Sequence, residues 1–334
     1  MPLSIHFLNV GHGDCTLIEH PSGRITMIDI NNSKSLPESD VDALADFRGL
    51  SREAFASRAS APAGFESWEQ YYRSLLVDPY DYFRSTFGAS ASVFRYIQTH
   101  PDMDHMSGLH RFFWQEQVSL QNFWDTDHGK SFVEADFENS GYSHLDWLVY
   151  QCMKAGVLRD GAQHQVLNLA QGAAAQYYLD DGIAVLSPTQ NLVKDANDKA
   201  NWNNLSYVLR VEHAGRSVVL PGDAEKAAWD EMLATLDHDD LSCDILKASH
   251  HGRESGYSKD AMEVMNPAFV VCSVGKKPST DASDEYKSHG ATVLSTRYHG
   301  TITIRIGDDG AIAVRNHDNS TISSLGATRP WLTA

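Results

Sequence analysis

Residues 99–108 read Thr-His-Pro-Asp-Met-Asp-His-Met-Ser-Gly and follow directly on the apolar run Val93–Ile97. No other stretch restricts the fold as much. His100, Asp102, Asp104 and His105 all fall within a few positions, and imidazole and carboxylate are the ligands that hold divalent zinc, manganese or iron. An extended backbone entering the cluster puts His100 and Asp102 on one side, because alternate residues share a face. A helix beginning near Asp104 would turn Asp104 and His105 toward a second, adjacent position, so one segment could serve two ions. The plainer alternative is a turn at Pro101 with Asp104 capping a helix over Met106–Phe113.

Two later segments repeat the pattern. Val218-Val219-Leu220 runs into Pro221-Gly222-Asp223-Ala224-Glu225, and a helical pattern continues to Leu236. Asp244-Ile245-Leu246-Lys247-Ala248 delivers Ser249-His250-His251-Gly252. Strand tips hold side chains rigidly while the following loop gives access, which is where ligand residues concentrate. Alone, Asp223 could be a helix N-cap and either histidine a satisfied semi-buried residue. Three such coincidences favour one shared site.

With Asn9-Val10-Gly11-His12-Gly13-Asp14, Met27-Ile28-Asp29 and Asn203-Asn204-Leu205-Ser206, these segments resemble, in order and spacing, the metallo-β-lactamase-fold hydrolases. Within them the chain is similar to the soluble metallo-hydrolase domain of ComEC-type competence proteins, where His-x-His-x-Asp-His becomes His-x-Asp-x-Asp-His. His12 departs from the Gln usual in ComEC-type chains. The resemblance implies an α/β (α+β) fold, a four-layer αββα sandwich with helical insertions and metals along one edge. It also implies hydrolysis by a metal-activated hydroxide. By that likeness His100 and Asp102 take a first ion, and Asp104, His105 and one of His250 and His251 a second, with Asp223 bridging both. His250 is favoured as the ligand and His251 as the group touching the leaving group or phosphate, with the reverse nearly as well supported. Asp29 would orient the histidines, and Asp104, His251 and Asp29 are the expected catalytic set. Asp14, on a Gly-flanked loop, either approaches the site or serves a turn.

One departure bears on the metals. The third first-site histidine of the wider superfamily is missing from Asn201–Ser206. With Asp102 also replacing a histidine, the first site is oxygen-rich and weak. One or two divalent ions are expected, zinc or manganese with magnesium a third candidate, since harder ligands suit harder cations. Phosphodiester cleavage suits such a pair, on single-stranded nucleic acid, nucleic-acid ends or a small nucleotide. Opening of a lactone, thioester or β-lactam is the alternative, and a non-catalytic metal-binding module of a multi-protein system is a third.

The formal charge is −17, with 44 acidic residues against 27 basic, and this disfavours a long duplex, whose affinity rests on neutralising phosphates. A local basic lip of Lys247, Arg253, Lys276 and Lys277 would have to compensate. Cys15, Cys152, Cys243 and Cys272 have no close paired spacing, so reduced thiols are expected. No run approaches a membrane span, and the chain enters a strand pattern at Leu3 without a leader-like segment. A cytoplasmic location with no membrane partner is therefore expected, while the oligomeric state stays open. One domain is read over residues 1–320, with helical insertions at about 33–92 and 125–165 and a tail at 321–334. Strand patterns include Ala174–Leu179, Ile183–Ser187 and Phe269–Ser273. The aromatics of Phe65–Phe83 are read as packing the first insertion onto the body. His128, His144 and His164 are read as surface residues.

Overall fold

The computed structural model describes residues 1–33, 36, 38–275 and 277–327. Lys276 and residues 328–334 of the expected tail lie outside them. The described residues form fifteen strands: β1 Leu3–Phe7, β2 Thr16–Glu19, β3 Ile25–Ile28, β4 Val93–Ile97, β5 Leu120–Trp124, β6 Gln165–Leu167, β7 Ile183–Ser187, β8 Val208–His213, β9 Arg216–Leu220, β10 Ile245–Lys247, β11 Phe269–Cys272, β12 Thr292–Ser295, β13 Ile302–Ile306, β14 Ile312–Arg315 and β15 Thr321–Leu325. They form a nine-stranded sheet in the order β15-β14-β13-β1-β2-β3-β4-β5-β6 and a six-stranded sheet in the order β12-β11-β10-β9-β8-β7.

Alternation along each strand divides its side chains between two layers. Val218, Leu220 and Ile245 turn inward to meet Ile5, Phe7, Ile28 and Ile97 across the inter-sheet core. Val219 and Leu246 turn outward, under helices that contribute Trp229, Met232 and Met262. On the opposite face, Met27, Val93 and Tyr96 lie under Phe83, Phe112 and Tyr150. Helix, sheet, sheet and helix therefore stack as an αββα sandwich, as the sequence leads one to expect.

Parallel pairing in the middle of each sheet matters most for function. β3, β4, β5 and β6 run parallel, as do β9, β10, β11 and β12. Parallel strands deliver their C-terminal ends to one edge. Asp29 follows β3, His100–His105 follow β4, Asp223 follows β9 and His250-His251 follow β10, so four separate segments meet there.

Some expectations need correction. Ala174–Leu179 is not a strand; Gln176–Leu179 is a helical turn that seats Tyr178 in the inter-sheet core. Gly108, at φ 147°, interrupts the helix over Met106–Phe113 that the plainer alternative required, leaving a tight turn at Met103–His105 and a wider one at His110–Gln115. β5 and β6 escape the sequence pattern because Gln121 and Asn122 break the apolar run of β5 and β6 has three residues. β15 lies beyond the boundary drawn at residue 320 and pairs antiparallel with β14. In the first insertion, Val41, Leu44, Phe55, Tyr72 and Leu75 form a small core of their own, with the Arg48 guanidinium 4.3 Å from the Trp68 ring. The four cysteines are free, and among the described residues no helix is long and apolar enough to cross a membrane.

Candidate metal centre

Asp29 is the residue on which the centre is organised. It is buried, and its backbone is held at φ 54°, an uncommon conformation for a non-glycine residue. Its N–H donates to the Ile97 carbonyl at 2.9 Å. Its carboxylate accepts from the Thr99 N–H at 2.8 Å, the Thr99 hydroxyl at 2.7 Å and His105 Nδ1 at 2.7 Å. With the proton on Nδ1, the Nε2 lone pair of His105 faces the cluster, where Asp223 Oδ2 is 3.2 Å away.

His251 is set in the same way from the other sheet. Its Nδ1 donates to the Ser273 carbonyl at 3.0 Å, and its Nε2 lies 3.3 Å from both Asp223 Oδ2 and Asp104 Oδ2. Asp14, His105, Asp223 and His251 each offer one ligand atom within 4.8 Å of the others, all four buried. Two ligands bound at 2.0–2.1 Å to one ion, with bond angles of 90–110°, stand about 3.0–3.4 Å apart. The separations of His105 Nε2 and His251 Nε2 from Asp223 Oδ2, and of His251 Nε2 from Asp104 Oδ2, match those edges. His105 Nε2, His251 Nε2 and Asp223 Oδ1 are buried with no hydrogen-bond partner, an arrangement that is costly unless something binds there. Donor set, spacing and unpaired atoms all fit a divalent cation.

The electrostatics point the same way. The ammonium of Lys247 is buried with its Nζ 2.5 Å from Asp14 Oδ2, and despite that burial the charges of Asp14, Asp223 and Asp29 raise its pKa. Burial disfavours a charged imidazole, yet Asp223 and its neighbouring carboxylates hold His105 well above its ordinary range and push His251 up to about 10. Burial likewise opposes ionised Asp223 and Asp104, but the two histidines hold both carboxyls below the usual range. Cationic charge in this pocket is in demand.

The expected residues do not all share one place. Asp104 and Asp223 are not helix caps: Asp102 precedes the Met103–His105 turn, and Glu225 precedes the helix Lys226–Thr235. Of the histidine pair it is His251 that enters the cluster, the reverse of the favoured order. The reason is the backbone, left-handed at both residues (φ 48° and 57°). It rotates His250 outward, with Nε2 3.8 Å from Asp223 and Nδ1 bonded to Ser255 and 3.2 Å from Glu225. His100 is buried beside His105, with ring centroids 4.2 Å apart. Asp102 is one-third exposed and 3.9 Å from His100 Nε2. Asn201 and Asn203, near the place of the missing histidine, donate to Glu225.

Lys247 cannot be part of a basic lip, since it is buried against Asp14; Lys277 is exposed and 3.8 Å from Asp281. His128 is not a surface residue but is buried against Tyr150. The sequence reading put Lys247 at the surface, although a lysine ending the buried strand Ile245–Lys247 signals a buried counter-charge. It also missed His12, whose ring lies 5.1 Å from that of His251 and which burial and His251 push down to about 4. Gly13 is sterically required: a Cβ there would lie 2.3 Å from the Asp104 carbonyl oxygen.

Two face-to-face sheets between helices, with a His/Asp cluster at the strand ends of one edge, decide the fold. It is the metallo-β-lactamase fold. Chains similar to this one include ComE operon protein 3 of Bacillus subtilis, 32% identical over 126 residues, which is 36% of this chain and 15% of that protein. The uncharacterized protein YcaI of Escherichia coli is 25% identical over 123 residues, 35% of this chain and 16% of that protein. The chain thus spans about one-sixth of the length of these curated relatives. Among solved structures, Igni18, a metallo hydrolase from Ignicoccus hospitalis, aligns over 90% of this chain and 98% of its own, with 13% identity and a TM-score of 0.43. No family model matches the chain. This metallo-β-lactamase fold thus carries the ComEC-type sequence resemblance.

Proposed function

We propose that this chain is a metal-dependent hydrolase that cleaves phosphodiesters. The observation that carries the reading is the convergence of His105 Nε2 and His251 Nε2, both buried without a hydrogen-bond partner, on Asp223 Oδ2 at ligand-edge separations. His105, His251, Asp223 and Asp104 would hold the ion, with Asp14 close by. A bound divalent cation supplies the charge that ionises water near neutral pH and polarises the substrate oxygen.

The side chains account for the rest. Asp29 holds the proton of His105 on Nδ1, and the Ser273 carbonyl does the same for His251, so both rings keep a ligand lone pair forward. Asp104 is the carboxylate of the set that reaches solvent, with 21% of its side chain exposed, and it orients incoming water. Lys247 keeps Asp14 ionised in the floor of the site. An oxygen-rich donor set and an overall charge of −17 favour a small or single-stranded phosphodiester over a duplex.

Bis-p-nitrophenyl phosphate, labelled single-stranded DNA and nitrocefin, assayed with added manganese beside Asp223→Ala, test the reading. Phosphodiester hydrolysis that disappears in the variant supports it. Turnover of nitrocefin alone would replace it with the non-phosphate reading, and an unaffected variant would remove the metal from the reaction.

A further inference from the structure

An ammonium sits against Asp102, one of the residues that the resemblance assigns to a first ion. Asp102 is engaged by Lys130 through Oδ1, while its Oδ2 faces His100. Lys130 is not a loose surface residue; 18% of its side chain is exposed, and its Nζ lies 5.0 Å from the Phe132 ring. Its backbone is pinned from several directions. The Lys130 N–H donates to His128 Nδ1 at 3.2 Å, and the Gly129 N–H donates to Asn197 Oδ1 at 2.7 Å. Asn197 Nδ2 returns a bond of 2.9 Å to the Asp127 carbonyl. His128 is itself fixed by Tyr150 and Lys154. The remaining donors near this position, His100, Asp102 and Asp223, lack the histidine that would complete a first site, and Asn203 is turned away to Glu225.

We propose that Lys130 substitutes for the first metal ion: the centre holds one divalent cation, and the Lys130 ammonium binds an anionic oxygen of the substrate. A lysine brings one positive charge and three donors without needing a full ligand set, which suits a position with too few ligands for an ion. This inference rests on the metal-dependent reading above and extends it to ion count and substrate charge.

Equilibrium dialysis of the full chain against manganese, with elemental analysis, gives the decisive count. The wild-type chain and Lys130→Met are each expected to hold one ion, since removing the ammonium adds no ligand to the first position. At a manganese concentration that fills only the tight site, KM for bis-p-nitrophenyl phosphate should rise about tenfold or more in Lys130→Met, the effect of losing one charge-assisted hydrogen bond, and Lys130→Arg should restore part of it. Asp102→Asn gives a second count should Lys130→Met fail to fold: it should keep its single ion. Two ions in the wild-type chain, loss of the ion in Asp102→Asn, or an unchanged KM in Lys130→Met would each overturn the inference and leave the metal-dependent reading standing. No ion in the wild-type chain would overturn both.

Discussion

Replacing Asp29 by Asn tests how the centre is held together, because the change is isosteric and removes only charge and one acceptor. Four donors converge on the carboxylate: the Thr99 N–H and Gln98 Nε2 on Oδ1, and the Thr99 hydroxyl and His105 Nδ1 on Oδ2. An Asn has one acceptor oxygen and an NH₂ group. The Thr99 N–H cannot change its role, so the oxygen stays there and the NH₂ meets His105 Nδ1. His105 can relieve that donor–donor contact by moving its proton to Nε2, which removes the lone pair the ion needs. Losing such an orienting partner weakens metal affinity about 10–100-fold, or about 1.4–2.7 kcal/mol. At a free metal concentration about 100 times the wild-type Kd, binding stabilises the wild-type chain by about 2.7 kcal/mol and the variant by about 0.4–1.4 kcal/mol. For 334 residues the unfolding entropy is about 0.7 kcal/mol/K. The metal-induced rise in Tm is then about 4 °C for the wild type and about 0.6–2 °C for Asp29→Asn. Calorimetry of each protein with and without manganese measures this difference separately from any change in the metal-free baseline. Equal metal-induced shifts in the two proteins would refute the tautomer reasoning.

Other outcomes follow from groups outside the centre. The buried pair Arg95–Asp181, at 2.6 Å with both side chains fully enclosed, makes Asp181→Ala cost about 3–5 kcal/mol in urea unfolding, because the guanidinium is left buried and unpaired. The double variant Arg95→Met/Asp181→Leu should recover most of that loss, and a single-variant cost below about 1 kcal/mol would contradict the account. His6 is pushed down to about 4 by burial. The unfolded chain therefore takes up a proton near pH 6.5 that the folded chain refuses until about pH 4. Stability from this group is complete above pH 6.5 and falls as pH drops, by about 3 kcal/mol at pH 4; urea titrations of His6→Gln should lack that part of the acid slope.

Local composition marked the segments that the fold brings together. The His100–His105 cluster, the Gly222-Asp223 step and the His250-His251 pair each follow an apolar run, and a strand that ends in polar groups can be recognised without knowing its neighbours. The family resemblance implied the two-sheet sandwich, and strands Val93–Ile97, Ile183–Ser187 and Thr292–Ser295 have the bounds that the sequence pattern suggests. Strands β5 and β6 were not legible, because β6 has three residues and β5 carries Gln121 and Asn122 at its middle, which break its apolar run.

Which side chain faces the ion was decided by tertiary structure. His250 and His251 are adjacent and chemically identical, and only a left-handed backbone, held by contacts from both sheets, selects His251. Lys130 and Asp102 are far apart in sequence, and no short-range pattern could pair them; the loop bonds to Asn197 and His128 do. Side-chain chemistry and strand periodicity are local and can be read along the chain, whereas direction and partnership depend on close packing of segments that meet only once the chain has folded.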